Sequence, residues 1–304
     1  MTSILPPHNY ILDFSRDYPP DYGTLLDAAC PPERVDLSAV SGTHLYCGPE
    51  AGNAIAAAVH ARGTHGIHFI DTGDYHYVTK FMADEIRESF CLIQIDHHTD
   101  LQPGAFDAAD GSTLSCGSWV RSVLQTNPFL QRLLLIGPPA ESIRAAKADP
   151  VCQTGIRDGK ILCISSEDLA ADLSVGGTVF SAIGTAIISP PHEVLSPYLS
   201  INGVPSSVAP ALFPPPDTGL PIYLSIDRDI LCRKDAVTDW DQGDMTLSDL
   251  TGLLRRLLTG RRLLGADLCG GLSASDASPE AAAVNLRCDR ALYHLLCSCF
   301  SSSQ

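Results

Sequence analysis

Two short apolar runs in this chain end in clusters of carboxylates, and this pairing constrains the fold more than any other feature. Phe90-Cys91-Leu92-Ile93-Gln94-Ile95 leads into Asp96-His97-His98-Thr99-Asp100. Pro221-Ile222-Tyr223-Leu224 leads into Ser225-Ile226-Asp227-Arg228-Asp229. A short apolar run closed by polar residues reads as a buried strand, and open α/β sheets gather their ligands at the carboxyl ends of such strands. Two more runs end in acids, Asp71 and Asp267. The acids therefore read as the chemistry of one sheet edge, with four Asp and a His placed to surround a pair of metal ions.

The rest of the chain supports that geometry. Strands are expected over 67–71, 90–96, 132–137, 160–165, 179–184, 221–227 and 261–267. Helices are expected over 49–62, 78–89, 115–126, 140–148, 246–259 and from 279 to about 299. Thr246 with Asp249 three residues on is a capping-box variant, and Ser278-Pro279 is an N-cap followed by proline at the first helical position. Strands alternating with helices predict an α/β fold, a three-layer α/β/α sandwich around a mostly parallel sheet. Right-handed crossovers then bring every strand's carboxyl end to the same edge. We read 1–304 as one domain, with a Pro/Ser-rich surface excursion at about 189–221.

Composition narrows the function. A formal charge of −15 excludes the basic footprint that nucleic acid requires. No stretch approaches 18 consecutive apolar residues, and Met1 to Tyr10 shows no signal-peptide pattern. The eleven cysteines are scattered without a Cys-x-x-Cys, which reads as reduced thiols in a cytoplasmic protein. The expected partner is a small-molecule substrate, with neither nucleic acid nor membrane.

Carboxylates and imidazoles suit Mn²⁺, Fe²⁺ or Zn²⁺, and the absence of Cys from the two clusters disfavours a soft thiolate site. Here a resemblance becomes specific. Asp96-x-His98-x-Asp100 and Ser225-x-Asp227-x-Asp229 resemble the two motifs of the arginase/agmatinase (ureohydrolase) family, in the same order. Gly73-Asp74-Tyr75-His76 resembles the family's Gly-Gly-Asp-His segment with one residue inserted. The resemblance implies the arginase/deacetylase-like fold and two Mn²⁺. One ion would sit on His76, Asp96, Asp100 and Asp227, the other on Asp96, His98, Asp227 and Asp229. It implies hydrolysis of a non-peptide C–N bond in a linear amidine or amide by a metal-bridging hydroxide. Asp100 would be the catalytic residue that orients the nucleophile and moves its proton. Gln102 and Asp267 are the candidate substrate contacts, and the family allows a homo-oligomer.

The chain also departs from the family. His97 replaces a small residue. Ile230-Leu231-Cys232-Arg233 replaces an Asp-Pro turn. Ser115-Cys116-Gly117 stands where arginases carry a proton-shuttling His. The family's guanidinium-binding Glu falls on Gly270, or on Asp267 after a shift of three residues. Two other readings compete: a DHH-type Mn-dependent phosphoesterase, suggested by Ile95-Asp96-His97-His98, and a metal-binding homologue without catalysis. The blander assignments are Asp71 as a turn former, His97 as a packing residue, and His44 and His68 as structural. Cys116 reads as a buried helix cysteine and Trp119 as core, while Trp240 is placed to line the mouth of a pocket.

Overall fold

The computed structural model describes residues 6–104, 113–175, 219–273 and 276–301. Its centre is an eight-stranded sheet in the order β2-β1-β4-β10-β9-β5-β7-β8, and every neighbouring pair is parallel. The strands are β1 (Tyr10–Asp13), β2 (Glu33–Asp36), β4 (Ile67–Ile70), β5 (Phe90–Ile95), β7 (Leu130–Ile136), β8 (Ile161–Ile164), β9 (Ile222–Asp227) and β10 (Leu263–Cys269). β3 (Tyr46–Cys47) and β6 (Leu114–Ser115) form a separate antiparallel ribbon.

Because the sheet is buried on both faces, its strands read as continuous apolar runs whose side chains alternate between two cores. Cys91, Ile93 and Ile95 of β5 enter one core, and Phe90 and Leu92 enter the other. The first core includes α8 (Leu247–Leu258) and α9 (Pro279–Ser301), through side chains such as Leu254 and Leu292. The second includes α2 (Pro49–His60), α3 (Val78–Glu85) and α4 (Trp119–Thr126), through Ile55, Met82 and Val123. This is the expected three-layer α/β/α arrangement. Both N-caps form: Thr246 Oγ1 accepts from the Asp249 amide at 3.1 Å, and Ser278 Oγ from the Ala281 amide at 3.1 Å; the Asp249 carboxylate accepts from the Thr246 hydroxyl, at 2.7 Å, in place of the backbone amide of a full capping box.

Several expectations need correction. β1 and β2 were not expected. β1 is a four-residue run and β2 alternates charge with apolar residues, so neither gives a strong periodic signal. The helices α1 (Tyr22–Leu26), α6 (Pro150–Arg157) and α7 (Ser166–Val175) were also unanticipated. The helix expected over 115–126 starts only at Trp119, because Ser115 pairs with Tyr46 in the small ribbon. The strand expected over 179–184 lies outside the described residues, as does nearly all of the 189–221 excursion. All eleven cysteines are free. Among the described residues no helix is long and apolar enough to cross a membrane.

Chain order reverses at the middle of the sheet. β4 and β5 are separated by β10 and β9, which arrive from the far end of the sequence. Such a switch point opens a crevice at the carboxyl edge, and the site lies there.

Candidate metal centre

Strand register sets the site. Ile95 of β5 pairs with Ile226 of β9, so Asp96 and Asp227 come level at the sheet edge. His76 arrives from the other side of the crevice. After β4 the chain makes a 3₁₀ turn over Gly73–Tyr75, and His76 caps it.

The six expected ligands converge. His76 Nδ1 lies 3.2 Å from Asp96 Oδ2, 3.3 Å from Asp100 Oδ2 and 3.3 Å from Asp227 Oδ2. His98 Nδ1 lies 2.8 Å from Asp229 Oδ2 and 3.5 Å from Asp96 Oδ1. Among the described residues three candidate ligand groups follow, His76–Asp96–Asp100, Asp96–His98–Asp229 and His76–Asp227–Cys269, each with its donor atoms within 4.8 Å of one another; Asp96 belongs to the first two and His76 links the first to the third.

Backbone and side-chain donors hold the carboxylates. The His98 amide donates to Asp96 at 2.6 Å, the His97 amide to Asp229 at 3.0 Å and the Asp229 amide to Asp227 at 3.0 Å. Asp100 adopts φ of +50°, uncommon outside glycine but tolerated by Asp, and this turns its carboxylate back toward His76. There the Trp119 indole donates to it at 2.6 Å and the Gln94 amide at 3.0 Å.

A buried relay fixes the His76 tautomer. Ser225 Oγ donates to Asp267 Oδ1 at 2.7 Å, so the same oxygen accepts from His76 Nε2–H at 2.9 Å. The Nδ1 lone pair is then the free one, and it points among three carboxylates. Oxygens surrounding a lone pair repel it unless a proton or a metal cation lies between them, so the donor set fits a divalent metal ion, and without one His76 holds a proton there.

In the metal-free cluster protons take the place of the cation. Burial alone would lower the pKa of both imidazoles. For His76 the Asp96 hydrogen bond and the charges of Asp227, Asp96 and Asp100 prevail, pushing it up to about 10. Asp229 and Asp96 push His98 up to about 11. Burial and the neighbouring carboxylates drive Asp100, Asp227 and Asp229 upward. At Asp96 burial acts upward too, but the two imidazoles outweigh it and hold its carboxyl low. So strong a negative potential in a buried place suits divalent cations.

A cavity of about 520 Å³ opens over the cluster. Its floor is His76, Asp96, His98, Asp100, Asp227 and Asp229, and Gln102 lines its wall as expected. Asp267 does not. It is fully buried behind Ser225, where burial raises its pKa to about 6. Its expected contact with substrate is therefore corrected: it supports His76 from behind. Gly270, the other candidate for the guanidinium-binding position, cannot be replaced by Glu on this backbone. Its φ is +79°, and a Cβ there would lie 2.0 Å from Asp227 Oδ1.

Other assignments also change. Cys116 sits in a turn and lines the cavity, not inside a helix. Trp119 is core, as expected, and also positions Asp100. Trp240 does line the cavity; it donates to Asp74 at 3.1 Å and packs edge-on to His98 at 5.6 Å. Gly73 makes room for it, since a Cβ there would lie 2.8 Å from the indole. His44 contacts Asp74 at 3.0 Å, and His68 stacks on Tyr10 at 4.0 Å. Asp71 accepts from the adjacent Thr72 amide and from the distant Phe14 and Ser15 amides, so it is more than a local turn former: it ties the end of β4 to the segment after β1. His97 joins none of the metal-competent clusters among the described residues, which removes support from the phosphoesterase reading. Sequence reasoning missed Cys269, which groups with His76 and Asp227. β10 register places it level with Asp227, so a thiol borders the centre after all.

No protein-family model matches the chain. An uncharacterized protein of Thermotoga maritima is 24% identical over 268 residues, covering 88% of this chain and 81% of that one. Among solved structures, the proclavaminate amidino hydrolase of Streptomyces clavuligerus superposes with a TM-score of 0.61 at 12% identity, covering 98% of this chain and 94% of its own. The formimidoylglutamase of Bacillus subtilis gives 0.59 at 10% identity, with 97% and 88% covered. A Trypanosoma cruzi formiminoglutamase solved with Mn²⁺ gives 0.56 at 13% identity, with 95% and 94% covered. The neighbours are ureohydrolases, and at these low identities the chain has the ureohydrolase fold in divergent form.

Proposed function

We propose that this protein is a dinuclear Mn²⁺-dependent hydrolase of the ureohydrolase type, cleaving a non-peptide C–N bond in a linear amidine or amide. The observation that carries this reading is the convergence of His76, Asp96, His98, Asp100, Asp227 and Asp229, with the His76 Nδ1 lone pair turned into the carboxylates. The Mn²⁺ of the Trypanosoma cruzi neighbour supports the choice of metal.

His76, Asp96, Asp100 and Asp227 would hold one ion, and Asp96, His98, Asp227 and Asp229 the other. Bound there, the ions would supply Lewis acidity and make water acidic enough to lose a proton near neutral pH. The chain's own residues do the rest. Asp100 lines the cavity with its carboxylate held by Trp119 and Gln94, so it can orient a water and accept its proton. Gln102 offers an amide to the polar end of the substrate. Leu45, Tyr46, Leu101, Pro103 and Ala145 give the wall an apolar side.

The substrate is not arginine in this reading. Gly270 leaves no space for a guanidinium-binding Glu, and Asp267 is sealed from the cavity. Protein purified without chelator should carry two Mn²⁺ per chain and hydrolyse a member of an amidine and amide panel. Turnover of phosphodiesters alone would defeat the proposal. Two bound ions with no turnover across the panel would favour a metal-holding homologue without catalysis.

A further inference from the structure

Arg228 stands between two expected metal ligands, yet it does not line the cavity. It is 2% exposed, in the 3₁₀ turn Arg228–Ile230 that follows β9. Its guanidinium reaches the end of β10 and the helix α9 instead. Nε donates to the Cys269 carbonyl at 2.9 Å, and Nη1 to Asp289 Oδ2 at 2.6 Å. Asp289 belongs to α9 and is fully buried; it also accepts from the Tyr22 hydroxyl of α1.

A buried ion pair is a poor device for stability alone. Desolvating a guanidinium and a carboxylate costs several kcal/mol, and apolar residues of similar size often serve as well or better. What such a pair provides is direction: a planar guanidinium bonded on two sides permits few placements of its backbone. Here that backbone is the turn presenting Asp227 and Asp229. On the cavity side the turn is tied by the Asp229 amide to Asp227 Oδ1 and by the His97 amide to Asp229 Oδ1. On the far side Arg228 ties it to the end of β10 and to α9.

We infer that Arg228 and Asp289 are a positioning pair that sets the turn bearing Asp227 and Asp229, and so makes the carboxyl-terminal helix part of the metal centre. This rests on the proposed metal-dependent function. The ion held through Asp229 depends most on the turn. The His76–Asp96–Asp100 set draws its other ligands from β4 and β5 and depends on it least.

The test is calorimetric titration of Mn²⁺ into metal-free wild type, Arg228→Lys, and the double variant Arg228→Met/Asp289→Leu, with the Tm of each metal-free protein. Arg228→Lys keeps the charge and loses the fork. The double variant removes both charges, so neither is left unpaired in the core. In both variants at least one ion should lose about 10–100-fold in affinity, the range for groups that orient metal ligands. The other ion, which shares Asp227 but not Asp229, should lose less. The double variant should keep a Tm near that of wild type. Wild-type affinity for both ions in either variant would overturn the positioning role. A wild type that binds no Mn²⁺ would instead overturn the proposed function, and this inference with it.

Discussion

The floor and the wall of the cavity are built on different principles. The floor comes from residues at or just beyond the ends of β4, β5 and β9, and most of its ligands are nearly fully buried. Asp96, Asp227 and Asp229 each accept a backbone amide, and His76 is backed by Ser225 and Asp267. The wall comes from loops, from the short β3–β6 ribbon and from one helix, α5 (Ala140–Ala148), with Tyr46 left 40% exposed. Sheet register can place a ligand closely because each strand fixes its neighbour, whereas a loop wall can change without disturbing the sheet. The family-like motifs lie in the floor, and the Ser115-Cys116-Gly117 departure lies in the wall, as this difference allows.

If the floor acts as one unit, its parts should fail together. Asp227→Ala should produce the largest effect, loss of both ions and a fall in activity on the order of 10³-fold or more. Metal analysis of the purified variant checks it, and retention of two ions would break the shared role of Asp227. Gly270→Ala should come next. The left-handed backbone alone costs about 1–3 kcal/mol for a residue with a Cβ. The added carbon must also displace Asp227, so a lower Tm and a weakened metal site should appear together. A lower Tm with both ions held at wild-type affinity would show that Asp227 can yield without losing its ligand role.

A subtler cut lies beneath the floor. Ser225→Ala leaves every expected ligand in place and removes the acceptor that selects the His76 tautomer, together with the hydroxyl that donates to Asp267. Metal affinity should fall about 10–100-fold with little change in fold, as far-ultraviolet circular dichroism would report. Unchanged affinity would mean that packing against Trp119, 4.9 Å away, is enough to orient the ring.

The sequence made the floor readable and left its supports hidden, for a physical reason. Asp96, His98, Asp100, Asp227 and Asp229 follow apolar runs directly, so their position at the sheet edge is a local property. His76 needed the resemblance, because its 3₁₀ turn has no strong local signal. Cys269, Asp267 and Asp289 meet the centre only through strand register and helix docking, contacts more than 40 residues long. Their strands and helix could be predicted, but not which side chains would face which neighbour. β1 and β2 escaped for the opposite reason: they are too short to carry a period, and are held by parallel pairing to β4 and to each other.

The wall offers the smallest expected effect and the sharpest contrast with the floor. Gln102 lines the cavity, and its backbone amide is anchored on the Gly117 carbonyl at 2.9 Å, so a change of side chain need not move the loop. Gln102→Ala removes one neutral hydrogen-bonding group, worth about 0.5–1.5 kcal/mol. KM should therefore rise by about 2–13-fold, with kcat nearly unchanged, because a contact made equally to substrate and transition state contributes only to binding. Two ions should remain bound at wild-type affinity. A drop in kcat with KM unchanged would move Gln102 from the wall to the reacting centre. Loss of an ion would show that the 99–103 loop supports the floor, and the division between the two halves would have to be redrawn at Asp100.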